Sequence, residues 1–180
     1  MVEVRRLPAS EVAVIGGIDR SEHVDAEYEV RDGRIVERPV SMADIPDWYR
    51  VGDGEHSLAR QLRTCAEQLA AGGILLAAVT VEGETAGTAI VDPTFEPPMA
   101  RLAQLHVSRP HRRRGVAHAL WVEATALARA AGATSMYISA TPTGSAIGFY
   151  LAHGAVLADP VHPVLFGYEP DDVHLVAPLG

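Results

Sequence analysis

The run Leu105-His106-Val107-Ser108-Arg109-Pro110-His111-Arg112-Arg113-Arg114-Gly115-Val116-Ala117 constrains this chain most. An apolar strand breaks there into a basic, glycine-containing turn, and the turn opens a helix. Backbone N–H groups at a helix start have no partner inside the helix and carry partial positive charge. Gly115 keeps a Cβ out of the path of an approaching phosphate. The natural guest is a pyrophosphate. Taken alone, Arg112 to Arg114 also read as a solvated basic loop capping a surface helix; the strand before them and the glycine within them favour the anion site.

The surrounding pattern alternates strands and helices. From Val116 to Ala131, the residues Leu120, Ala124, Leu127 and Ala131 form one helical stripe, and Gly132 follows as its stop. Trp121 is offset from the stripe and is expected at the periphery. Ser135 to Ser139 reads as a strand. Upstream, Ile74 to Val81 and Thr85 to Asp92 flank Glu82-Gly83-Glu84. Pro93 to Pro98 reads as a connector, and Ala100 to Val107 as a third strand, which predicts an antiparallel meander.

Tyr28 to Val36 reads as a hairpin about Asp32-Gly33, and Ser41 to Gly54 as a loop bordering a substrate site. Glu55 to Ala71 reads as a helix with the stripe Leu58, Leu62, Cys65, Leu69, closed by Gly72-Gly73. Asp159 to Pro170 is Pro-rich, and Val173 to Val176 reads as a final strand. The expected fold is α/β, a single domain over 1–180 with a mixed central β-sheet flanked by helices.

The pattern Arg112-x-x-Gly115-x-Ala117 is similar to the acyl-coenzyme A signature of the GNAT superfamily of N-acetyltransferases. The resemblance continues through the helix and strand that follow and into Ser145-Ala146-Ile147-Gly148-Phe149-Tyr150-Leu151-Ala152-His153-Gly154-Ala155, which resembles the family's tyrosine helix. It covers residues 74–155, which would form an acetyl-CoA-binding core. Residues 1–73 would then supply the acceptor side, and 156–180 a C-terminal loop and strand.

The resemblance implies acetyl-CoA as cosubstrate and direct acetyl transfer to an amine. The main chain of Leu105, His106 and Val107 matches the pantetheine-binding strand end, and Arg112, Arg113, Arg114, Gly115, Val116, Ala117 and His118 match the pyrophosphate turn. Tyr150 matches the general acid that protonates the departing thiolate. Thr143 stands where the family often has asparagine near the pantetheine. Arg101 and Ala103 stand where a glutamate or histidines often act as base, and a guanidinium cannot take a proton from an amine. An alkylamine of pKa about 10.4 is neutral in only about one part in 10³ to 10⁴ at pH 7, so a base matters. Glu22, His23, His106 and His174 are candidates, beside water relay to a more distant carboxylate. For Glu22 and His23 the plain alternative is a solvated surface charge, and for His106 and His174 a packed strand residue.

Cys65 reads as a small buried core residue rather than a nucleophile. His106, His111 and His118 lack metal-ligand spacing, so no metal is expected. A formal charge of −8 disfavours nucleic acid and anionic membrane and suits a cationic small-molecule amine. The run Asp44-Ile45-Pro46-Asp47-Trp48-Tyr49 offers carboxylates and aromatic surface for an ammonium group. The single cysteine, the missing apolar leader and the lack of about 18 continuous apolar residues point to a soluble protein of the reducing cytoplasm. Proteins similar to this one are commonly homodimers, though no seam is legible. Two other functions fit the same residues. A non-catalytic acyl-CoA sensor would bind acetyl-CoA without consuming it, and a nucleic-acid or protein interaction module would use His111 to Arg114 as a basic patch.

Overall fold

In the computed structural model, which describes residues 2–180, strand β1 (Val2–Leu7) is followed by a 3-10 segment (Ala9–Gly17) and the hairpin β2 (Glu27–Arg31) and β3 (Arg34–Arg38). Helix α1 (Leu58–Ala70) leads into the meander β4 (Ile74–Thr80), β5 (Thr85–Glu96) and β6 (Met99–Val107). Then come α2 (Val116–Ala130), β7 (Ser135–Ala140), α3 (Gly144–Ala152), β8 (Val156–Leu157), α4 (Pro163–Tyr168) and β9 (Val173–Pro178). Seven strands form one sheet in the order β1-β4-β5-β6-β7-β9-β8. Every neighbouring pair is antiparallel except β6 and β7, so the sheet is mixed, as expected.

Side-chain alternation along the strands sorts the core into two faces. Leu75 of β4 and Ile90 of β5 pack with Cys65 and Leu69 of α1. Leu76, Ala78, Ala89 and Val91 point the other way, onto Leu120, Ala124 and Leu127 of α2. Both helical stripes therefore bury as their spacing predicts, except that Ala131 is exposed as the residue capping the end of α2. The hairpin turns at Asp32 (φ 50°) and Gly33 (φ 69°), the paired positive φ angles that an Asp-Gly turn tolerates.

Four local expectations need correction, and β1 is an added strand whose only alternation signal is Val2 and Val4 followed by two arginines. Helix α1 begins at Leu58, since the Ser57 hydroxyl caps it by accepting from the Arg60 N–H. The connector Pro93–Pro98 is mostly strand. β5 continues to Glu96, and Pro93 falls between the pairs Asp92↔Arg101 and Glu96↔Met99, where its missing N–H breaks no ladder bond. The Pro-rich tail contains α4, with Pro163 in its first turn and the His162 ring accepting from the Leu165 N–H at 3.2 Å. Trp121 is core, not periphery, packed against Phe149, Tyr150 and His153. Among the described residues, no helix is long and apolar enough to cross a membrane.

Candidate active site

The parallel ladder between β6 and β7 runs only from Met99↔Ser135 to Leu102↔Ile138. Beyond it the strands part: β6 goes on to Val107 beside β5, while Ser139 and Ala140 pair with β9. The divergence starts at a bulge, where Ala103 stands unpaired between Gln104 (opposite Ile90) and Leu102 (opposite Val91). The gap becomes a cleft of about 720 Å³, with Gln104 to Val107 on one wall and Ser139 to Thr141 on the other. Backbone facing a gap between parted strands can hydrogen-bond an extended guest.

At the end of β6 the chain turns through Arg113 (φ 60°) and Gly115 (φ 80°) into α2. Gly115 is the residue before the helix, and no side chain caps it. Nothing lies within 4 Å of where its Cβ would be, so the space over the free N–H groups is open to an anion. Arg113, Gly115, Val116, Ala117 and His118 line the cleft. Two expected contributors differ. Arg114 lies outside the lining. The Arg112 guanidinium lines the cleft but is tied to the backbone, donating to the carbonyls of Val107 (3.1 Å) and Arg20 (2.8 Å), so it also fastens the turn.

Helix α3 closes the other side. Thr143 is buried, and its hydroxyl accepts from the Ala146 N–H at 3.4 Å, so it acts as the α3 cap while lining the cleft. Tyr150 also lines it and is only 8% exposed. Burial, and secondarily the charge of Asp172, push its phenol well above the usual tyrosine range, so the hydroxyl keeps its proton at any working pH.

A second cavity, about 980 Å³, adjoins the cleft. Its lining includes Glu29, Asp44, Glu55, Asp159, Asp171 and Asp172, together with Arg20, Arg38 and Glu27. Glu27 is already neutralised: it pairs with Arg38, accepts from the Ser41 N–H at 2.6 Å and the Met42 N–H at 3.1 Å, and is held down to about 2. Four residues, Arg20, Ile45, Thr141 and Asp172, border both spaces.

A sequence profile of the acetyltransferase (GNAT) family matches residues 40–155. The chain belongs to the GNAT acetyltransferase family. No curated protein matches it in a sequence search. Among solved structures, nourseothricin acetyltransferase superposes with a TM-score of 0.72 at 19% identity, over 99% of both chains. A Bacillus anthracis protein assigned as a streptothricin acetyltransferase, solved with acetyl coenzyme A, gives 0.61 at 18% identity over 98% of this chain and 95% of that one. The Escherichia coli ribosomal-protein-S18-alanine N-acetyltransferase gives 0.63 at 14% identity over 100% and 95%. At these identities the likeness establishes the shared fold.

In this GNAT protein the four base candidates from the sequence are not brought together. His23 is 77% exposed, bonded to Asp44, and lines neither space. Glu22 reaches the cleft, but its carboxylate accepts from the Ser145 hydroxyl at 2.7 Å and faces the Arg112 guanidinium at 3.6 Å. His106 lines the cleft and donates from Nε2 to the Gln104 amide oxygen at 3.1 Å. Burial, then the positive charges of Arg20 and Arg112, push it down to about 4, making it neutral and weakly basic. His174 borders the second cavity with both ring nitrogens engaged: Nδ1 accepts from Tyr137 Oη at 2.9 Å, and Nε2 donates to the Glu169 carbonyl at 2.9 Å.

The expected aromatic seat for an ammonium also fails at Trp48. That ring is 4% exposed, and the Arg20 guanidinium lies 4.0 Å above its centre, so its face is already taken. Arg101 has a structural task, lying 3.8 Å from the Glu169 carboxylate. Asp172, two residues before His174, lines both spaces and is not among the sequence candidates. The one available hint was the pair Asp171-Asp172 immediately before a strand.

Proposed function

We propose that the protein transfers the acetyl group of acetyl-CoA to a primary amine on a small, cationic acceptor. The observation carrying this reading is the second cavity, whose carboxylates outnumber its guanidiniums and which opens onto the cleft beside Tyr150. A cation entering it gains from the net negative field that the cavity walls focus. Two neighbours are named for nourseothricin and streptothricin and one for a ribosomal-protein alanine, so the fold does not choose among acceptors; the charge of this cavity supports the cationic small molecule.

In the proposed mechanism the parted ends of β6 and β7 seat the pantetheine arm, and the uncapped N–H groups after Gly115 seat the pyrophosphate. Residues Glu27 to Ile45 wall the acceptor, placing amine and thioester in attack geometry. Backbone N–H groups of the β6 end stabilise the carbonyl oxygen as it gains charge, and Tyr150 delivers a proton to the leaving sulfur. Direct transfer requires no nucleophile from the protein, in keeping with the inert position of Cys65.

The test has two arms. Calorimetry should detect acetyl-CoA binding by the native protein and none by folded Gly115→Glu, whose carboxylate enters the phosphate seat; equal affinity would remove that seat from the site. Thiol release with mass detection across an amine panel should then favour small polycations. Efficient turnover confined to peptide N-termini or neutral arylamines would overturn the acceptor reading.

A further inference from the structure

We propose that Asp172 is the catalytic base, taking the proton from the acceptor's ammonium where the acidic cavity meets the acetyl-CoA cleft. The inference rests on the acetyl-transfer reading above and supplies the base that the sequence left open.

Position is the first argument. A base for this reaction must reach the acceptor nitrogen at the point where that nitrogen meets the thioester carbonyl, which is the junction of the two spaces. Of the four residues that border both, Asp172 alone carries a carboxylate. Arg20 cannot accept a proton, and Ile45 and Thr141 have no basic group.

Availability is the second. Of the other two carboxylates lining the cleft, Glu22 is held by Ser145 and Arg112, and Glu169 faces the Arg101 guanidinium at 3.8 Å and does not border the acidic cavity. No hydrogen bond within the described residues lowers the affinity of Asp172 for a proton.

Support is the third. Its N–H donates to the Glu169 carbonyl at 3.2 Å, the same carbonyl that accepts from His174 Nε2. The next residue, Val173, starts β9 opposite Ala140, another residue of the cleft wall. Arg101 of β6 faces the Glu169 carboxylate. The base is thus carried on a turn anchored from three elements.

The surroundings suit the role. Burial, followed by the negative charges of Glu169, Asp171 and Glu55, raises Asp172 to about 7. The other ionisable groups lining the two spaces include Tyr150 from α3, His106 from β6, Glu22, Arg20 and His56 from the N-terminal half, Arg112 from the turn before α2, and His174 from β9. A carboxylate moved from about 4 to about 7 improves the equilibrium for taking a proton from an ammonium by about 10³-fold. At about 7 the group is ionised enough near neutrality to act and basic enough to hold the proton.

The step balances. The Asp172 carboxylate takes one proton from R–NH3+, leaving R–NH2. The nitrogen lone pair forms the N–C bond to the thioester carbonyl, and the C–S bond breaks with its electron pair on sulfur. Tyr150 gives its proton to that sulfur and recovers one from the newly bonded nitrogen. Asp172 then loses its proton to solvent through the acceptor cavity, so one proton is released per turnover.

Steady-state kinetics on the native protein, Asp172→Asn and Asp172→Glu from pH 5.5 to 9.5 test this, with acetyl-CoA and the best cationic amine from the panel. The native kcat/KM should rise through a limb near pH 7. Asp172→Asn should lose about 10²-fold in kcat together with that limb, with the acetyl-CoA KM unchanged, and Asp172→Glu should recover part of the loss. An acceptor whose amine has a pKa of about 6 is already neutral at pH 7.5 and needs no base, so with it the Asn variant should lose less than about threefold. An unchanged kcat and pH limb in Asp172→Asn, or an equal loss with both acceptors, would overturn the assignment. Failure of the native protein to acetylate any cationic amine would overturn the reading beneath it instead.

Discussion

Asp172→Asn should stabilise the fold at pH 8 even as it slows the reaction. The carboxyl is raised from 3.8 to about 7, chiefly by burial and then by Glu169, Asp171 and Glu55. For an acid raised on folding, the native state keeps a proton that the unfolded chain has already released between about pH 4 and pH 7. Stability therefore falls as pH rises through that window, and the whole deficit is present above it. Three units at about 1.4 kcal/mol each set a ceiling of about 4 kcal/mol. Asp172 opens toward two solvent-filled spaces, and discounting for that screening leaves about 2 kcal/mol. Asparagine keeps the shape and removes the charge. For a chain of this size that corresponds to a Tm about 4–8 °C higher at pH 8. Thermal unfolding followed by circular dichroism at pH 8 and pH 4 reads it: a gap at pH 8 that closes at pH 4. A variant Tm equal to or below the native value at pH 8 would show that the carboxylate is not crowded, and the reasoning from burial and like charge would fall.

Tyr150→Phe keeps the ring packed against Trp121 and Phe149 but removes the proton donor, so turnover should fall about 10²-fold while calorimetric affinity for acetyl-CoA stays the same; unchanged turnover with chemistry rate-limiting would remove the acid role. Cys65 is buried in the α1 face, and burial pushes its thiol up to about 12, so a thiol-specific chromogenic reagent at pH 8 should label it only after unfolding; rapid labelling of the native protein would contradict its place in the core.

Local signals carried the elements around the β6–β7 cleft. The strand-to-helix turn at Gly115, the Asp32-Gly33 hairpin, the α1 and α2 stripes and the tyrosine helix each rest on residues within about a dozen positions of one another. Short-range sterics and periodicity specify them before the chain closes up. The sequence could not reveal how polar side chains would be shared out afterwards. Arg112 looked like a phosphate ligand and lines the cleft, but it is also tied to the carbonyls of Val107 and Arg20. Trp48 looked like an open cation seat and is covered by Arg20, while Trp121 left its expected periphery for the core. His174 looked like a base and is engaged at both nitrogens. Asp172 gains its meaning only because residues 20, 45 and 141, far apart in the chain, converge with it between two cavities. Backbone conformation answers to neighbours in sequence, whereas the charge state and availability of a side chain answer to neighbours in space, and folding alone supplies those.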